Sequence, residues 1–183
     1  MRCFISVDIE DPGLLDALGE AQGRLEMAGA DLKRVERENI HITVRFLGEV
    51  REGLLGELQR LVSDTAFSPF RAELRGLGAF PSLRRPRVVW AGISDGVEEL
   101  TEIFRRLEGE IVGMGFRPER RGFSPHITLA RVRSGRNRER LAGEVRERAN
   151  EFFGAFEIER IRLKRSDLTP RGPIYTTMAE SAV

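Results

Sequence analysis

Residues 123–131 read Phe123-Ser124-Pro125-His126-Ile127-Thr128-Leu129-Ala130-Arg131, and residues 39–47 read Asn39-Ile40-His41-Ile42-Thr43-Val44-Arg45-Phe46-Leu47. The chain has only two histidines, one in each run, and each is followed by Ile and then Thr. Alternation and β-branched content mark both runs as strands. Residues two apart on a strand share a face. His41 and Thr43 therefore point one way while Ile42 and Val44 point into a core, and His126 and Thr128 repeat this with Ile127 and Leu129 inward. With seven threonines in 183 residues, Thr two places after both histidines arises by chance about once in 700. One strand histidine is ordinarily a packed or surface residue; the duplicated pair points to a site.

Outward from these strands, the pattern predicts a first strand over Arg2–Ile9 and a helix opened by Asp11-Pro12, with Asp as N-cap and Pro at the first position. That helix closes at Gly29. A short edge strand at Leu32–Val35 precedes the first histidine strand, Ile40–Leu47. Helices are expected at about 51–64, 96–114 and 137–153, each with an apolar stripe at helical spacing. Further strands are expected at 70–77, 87–93, 124–132, 156–163 and 173–178. The Arg87–Ile93 run is apolar enough to be covered on both faces. Gly78–Pro86 reads either as a solvated connector or as a substrate-contacting loop, Ser166–Gly172 as a turn, and the last strand as a plain closing strand. No linker or low-complexity segment divides the chain, so 1–183 is expected to form a single domain. One histidine strand per half suggests two similar lobes about a pseudo-twofold axis, the two strands facing each other across a cleft.

Forty per cent apolar and 32% charged residues describe an ordinary soluble chain. No apolar run reaches the roughly 18–20 residues that span a bilayer, so no membrane association is expected. The single Cys3 excludes an intrachain disulfide and points to a reducing cytoplasm. A net charge of +1 conceals clustering. Eight arginines lie between Arg117 and Arg140 against two glutamates, bracketing His126, and Arg84, Arg85 and Arg87 form a second group. A local positive field in a nearly neutral protein suits an anionic ligand better than general nucleic-acid affinity.

Two imidazoles facing one another can perform opposite proton transfers, since both protonation states are accessible near neutrality. The threonine hydroxyls suit the non-bridging oxygens of a phosphate held between the rings. A phosphodiester displacement needs a base, an acid and stabilisation of charge on the phosphorus oxygens. Two histidines without cysteine or acidic neighbours in either motif fall short of a zinc site. A threonine nucleophile is disfavoured because His and Thr two apart lie parallel on one strand. Neither a metal nor a cofactor is expected.

His41-Ile42-Thr43-Val44 and His126-Ile127-Thr128-Leu129 resemble the paired His-x-Thr-x motifs of the two-histidine phosphoesterase superfamily. The surrounding segments, Asn39–Val50, Pro86–Gly92, Ser124–Arg131 and Gly172–Tyr175, are similar to its RNA 2',3'-cyclic phosphodiesterase branch, historically called 2'-5' RNA ligase. The resemblance implies an α+β fold of two pseudo-symmetric lobes of mostly antiparallel sheet, with helices outside and a central cleft. It further implies metal-independent hydrolysis of a 2',3'-cyclic phosphate on an RNA terminus to a 2'-phosphate; oligomeric state is open, with a monomer as the default expectation. His126 would be the base and His41 the acid, a division the symmetric motifs alone leave open; Thr43 and Thr128 would hold the phosphate. Phe46 and Arg131, each five residues after its histidine, would sandwich the terminal base. The odd offset requires a bulge or a strong twist, and alternation alone reads Phe46 as core. Arg45 shares the parity of His41, which leaves phosphate contact and a surface role both open. Two further readings are 2'-5' joining of RNA ends and a non-catalytic RNA-end or nucleotide-binding module.

Overall fold

The computed structural model describes residues 1–183. Fourteen elements follow in order: β1 (Arg2–Asp8), α1 (Pro12–Met27), β2 (Leu32–Arg34), a 3-10 turn (Arg37–Asn39), β3 (His41–Glu49), α2 (Glu52–Asp64), β4 (Phe70–Phe80), β5 (Val88–Asp95), α3 (Val97–Gly113), β6 (His126–Val132), α4 (Arg138–Glu147), β7 (Phe152–Ile158), β8 (Arg162–Thr169) and β9 (Gly172–Glu180). The opening of α1 is as the sequence dictates, with the Asp11 carboxylate accepting from the Leu14 N–H at 2.7 Å and Pro12 in the first turn.

All nine strands belong to one antiparallel sheet, ordered β7-β4-β5-β6-β3-β1-β8-β9, with β2 also paired to β6. The sheet curls into a half-barrel. Helices α1 and α4 pack on the half containing β4, β6 and β7, while α2 packs on β8 and β9 and α3 on β3 and β5. The expected two lobes are therefore two halves of one sheet. The histidine strands β3 and β6 are adjacent at the seam, joined in register at Ile42 and Ile127. They are neighbours rather than opposite walls, and the cleft is the concave surface above them.

Hydrophobic burial on the helix-covered face holds the seam. Ile42, Val44, Ile127 and Leu129 are buried with Leu18, Leu100, Leu107 and Leu141 in one cluster of 33 residues. At about 25 cal/mol per Å² of apolar surface, this face supplies the driving force that leaves the opposite face free for polar side chains.

Several segments depart from the sequence reading, and β4 runs past the expected 77 through Gly78 to Phe80 because these residues pair with β5. Helix α4 stops at Glu147, not Phe153, because Phe152–Ile158 pairs with the free edge of β4. Gly76 permits the turn beneath it: its φ of +81° is open to glycine, and a Cβ there would strike the Ala149 carbonyl. The expected strand 156–163 is two strands, since β7 pairs with β4 on one side of the sheet and β8 with β1 on the other. The turn expected at Ser166–Gly172 shrinks to Pro170-Arg171, because Ser166 to Thr169 pair with β9.

Strand β5 is covered on one face only. Val89 and Ala91 are buried, while Trp90 lies half-buried on the concave side. There it packs against the backbone of β4 at Gly78, its partner in register. A Cβ at Gly78 would overlap the six-membered ring of Trp90, and that ring is wedged by Phe80 and His126. Gly78→Ala is therefore expected to displace Trp90. As the only tryptophan in the chain, it gives a direct readout: a shifted emission spectrum with the helical signal retained, whereas an unchanged spectrum would mean the ring is not held there.

Candidate active site

Continuing the Ile42–Ile127 register by one residue each way sets His41 opposite Thr128 and Thr43 opposite His126. All four side chains alternate with buried isoleucines, so they share the concave face. The pseudo-twofold axis passes between the two isoleucines.

Each ring is fixed in the same way. His41 Nδ1 lies 2.7 Å from the Asn39 carbonyl oxygen, and His126 Nδ1 lies 2.8 Å from that of Ser124. A carbonyl only accepts, so Nδ1 carries the proton in both rings and Nε2 is left for chemistry. The Thr43 hydroxyl donates to His41 Nε2 at 2.9 Å when that ring is neutral; His126 Nε2 has no protein partner. Asn39 is buried and anchored through its amide to the Pro173 carbonyl at 3.0 Å, which ties the His41 support to β9.

Aromatic rings wall both histidines. Phe4 and Tyr175 pack on His41 with centroids at 5.0 and 5.5 Å, and Phe80 and Trp90 pack on His126 at 5.0 and 6.2 Å. Burial lowers the pKa of both imidazoles below the ordinary histidine value. For His41 the Asn39 carbonyl and the Asp8 carboxylate oppose that shift, whereas Lys164 and the charge of His126 add to it. For His126 only the Ser124 carbonyl opposes it. The rings are thus close enough for one charge to be felt by the other, and only His41 has a carboxylate favouring its charged form. Asp8, which lies beside His41 in register, accepts from Ser6, Arg162 and Lys164 at 2.9, 2.9 and 2.6 Å.

A cavity of about 380 Å³ opens on the concave face and is lined by His41, Thr43, Thr128, Phe46 and Arg131. His126 stands beside it, outside the lining. Phe46 is 59% exposed, so the core placement that alternation gives it is wrong, and the reason is a bulge. In β3 the register jumps from Ile5–Arg45 to Ser6–Thr43, which buries Val44 and Arg45 in succession and returns Phe46 to the concave face. Strand β6 does the same: Val89–Ala130 is followed by Trp90–Thr128, Leu129 and Ala130 are both buried, and Arg131 emerges into the cleft.

Arg45 does not reach the cavity. Sharing parity with His41 fails beyond the bulge, and the side chain turns into the helix layer, 7% exposed, with Nε 2.5 Å from Glu108 of α3. Its guanidinium also donates to the Phe46 and Arg117 carbonyls. In the other half Gln22 of α1 donates to the Val35 and Leu129 carbonyls at 2.9 and 2.8 Å.

Tyr175 and Phe80 belong to the site: the Tyr175 segment reads as a plain closing strand, while Gly78–Pro86, which holds Phe80, reads either as a solvated connector or as a substrate-contacting loop. Lys33 and Arg171 also line the cavity. Only Tyr175 carried a hint, as a polar aromatic two residues after a Gly-Pro turn.

No helix is long and apolar enough to cross a membrane. A Methanothermobacter thermautotrophicus protein named RNA 2',3'-cyclic phosphodiesterase is 44% identical to this chain over 97% of it and 96% of its own length. One of the same name from Aeropyrum pernix is 44% identical over 91% and 95%. A crystal structure of a Thermus thermophilus protein superposes with a TM-score of 0.77 at 32% identity, covering 98% of this chain and 96% of the other. Escherichia coli LigT in apo form has the same fold, with a TM-score of 0.77 at 21% identity over 98% and 95%. The family described as LigT like phosphoesterase matches residues 7–90 and 92–175, one segment around each histidine. The twofold repeat seen in the strands, the bulges and the ring supports is thus also the repeat by which this chain belongs to the LigT-like phosphoesterase family.

Proposed function

We propose that the protein hydrolyses 2',3'-cyclic phosphate ends of RNA to 2'-phosphates, without a metal, using His126 as base and His41 as acid. The observation that carries this reading is the matched pair of imidazoles, each with Nδ1 committed to a backbone carbonyl and Nε2 on one face beside a threonine. The names of the relatives at 44% identity support the substrate class. In the proposed step a water oxygen attacks phosphorus while its proton passes to His126 Nε2. The bond from phosphorus to the 3' oxygen breaks, and His41 Nε2 supplies the proton that oxygen needs. The threonine hydroxyls steady the charge on the non-bridging oxygens.

The division of roles is supported by Asp8, the one carboxylate acting on either ring, which favours the charged form of His41. Phe46 and Arg131, brought to the cavity by the paired bulges, are suited to sandwich the terminal base. Metal independence is supported by the donor set: no group of three or more His, Cys, Asp or Glu side chains is gathered as a metal site would require. One chain supplies both imidazoles, so a monomer suffices, and the unpaired Cys3 fits a reducing cytoplasm.

The test is incubation of an RNA bearing a terminal 2',3'-cyclic phosphate, with chelator present, followed by identification of the product. A 2'-phosphate formed at the chelator-free rate is expected; a 3'-phosphate, or no product, defeats the reading. The pH dependence follows from the lowered pKa values. The acid must be protonated and the base neutral, and burial holds both rings below the ordinary histidine value. For the free enzyme kcat/KM should rise from low pH, peak on the acid side of 6.5 and fall above it, as the protonated acid is depleted. A profile still rising between about pH 7 and 8 would contradict the paired assignment.

A further inference from the structure

Many charged side chains in this protein are paired, as in the Arg24–Glu151, Arg45–Glu108 and Arg162–Asp8 bridges. Four cations that line the cavity are not. Arg2, Lys33, Arg131 and Arg171 make no ion pair, and Glu36 is the only acidic residue in the lining. Lys33 on β2 and Arg131 on β6 are register partners, like charges set directly across a ladder. Such a pair costs stability when nothing lies between. Arg2 and Arg131 also both act on the Tyr175 hydroxyl, countering part of the rise that burial imposes on it. Lys33 and Arg131 therefore stand side by side at the β2 end of the cavity.

That end is not where the reacting phosphorus sits. Arg131 is three residues beyond Thr128 on β6, roughly 10 Å along the strand, and long side chains reduce that separation to about one nucleotide. Arg171, in the hairpin between β8 and β9, lines the same cavity, and the Pro173 carbonyl two residues on is held by the Asn39 amide, five residues after β2.

Resting on the reading above, we infer that Lys33 and Arg171, beside Arg131, form a second anion subsite for a phosphate on the 5' oxygen of the nucleotide that carries the cyclic phosphate. Arg131 offers its guanidinium plane to the base, which leaves Lys33 and Arg171 as the principal ligands of this second phosphate. The same chemistry is presented by a 5'-monophosphate on a single nucleotide and by the upstream phosphodiester of an RNA chain. A nucleoside 2',3'-cyclic phosphate with a free 5' hydroxyl lacks it.

The experiment compares kcat/KM for three substrates with the same base: the nucleoside 2',3'-cyclic phosphate, its 5'-phosphorylated form, and a dinucleotide ending in the cyclic phosphate. Charge-assisted contacts predict that a 5' phosphate raises kcat/KM by about 10–100-fold. In Lys33→Ala/Arg171→Ala the ratio of phosphorylated to unphosphorylated substrate should fall toward one. Because the ratio is taken within one protein, partial misfolding cancels. Enhancement of both phosphorylated substrates supports an RNA chain as the source, and enhancement of the 5'-monophosphate alone supports a free nucleotide. Equal rates for all three substrates, enhancement by the dinucleotide alone, or a ratio that survives in the double variant would overturn the subsite. Failure of all three substrates would instead overturn the proposed function.

Discussion

His41→Ala and His126→Ala are each expected to lower turnover of a cyclic-phosphate RNA by about 10²–10⁴-fold, the usual contribution of a positioned acid or base, which is roughly 3–5.5 kcal/mol of barrier. Binding should largely persist, because the threonines, Phe46 and the cavity cations remain. The two variants should also differ from each other. If His41 protonates the departing 3' oxygen, a substrate with sulfur at that position leaves without a proton, and His41→Ala should recover on it. His126→Ala should not recover, since its missing function lies on the attacking water. Full activity of either variant on the natural oxygen substrate removes the mechanism; recovery of the opposite variant reverses the roles.

The largest stability effect is expected away from the cavity. Glu108→Ala leaves the Arg45 guanidinium, 7% exposed, without its carboxylate. It also strips the Glu119 N–H of its acceptor at 2.7 Å. Removing one partner of a buried pair costs about 3–5 kcal/mol, and the low end applies because Glu108 is 18% exposed. The corresponding position in the other half is Ala130, so an apolar residue is compatible with the architecture. Arg45→Met/Glu108→Leu should therefore be more stable than Glu108→Leu alone in denaturant titrations. Equal midpoints would show that the ion pair is not what makes the single change costly.

The seam of the fold was legible because the motif occurs twice. Two His-Ile-Thr runs reveal which residues face the core, and Ile42 and Ile127 lie where alternation puts them. What alternation cannot reveal is a change of phase. The extra residue at Val44-Arg45 reverses inside and outside for the residues that follow it up to Leu47, which is why Arg45 was open to a phosphate role and Phe46 read as core. The same jump at Leu129-Ala130 carries Arg131 into the cleft. Charged helix α4 looked longer than it is because Phe152 and Phe153 fit a helical stripe as well as a strand, and only the free edge of β4 decides between them. Tyr175 and Phe80 were legible only as parts of segments: their ring contacts with the histidines arise from pairings between distant segments, which local patterns do not record.

With only one residue pair in register between the central strands, the molecule works like a caliper, each half carrying one jaw. The gap between the two imidazoles depends on how the halves lean, a quantity that neither half fixes alone. On the proposed assignment, a change in that lean is expected to detune proton transfer while both halves keep their own structure.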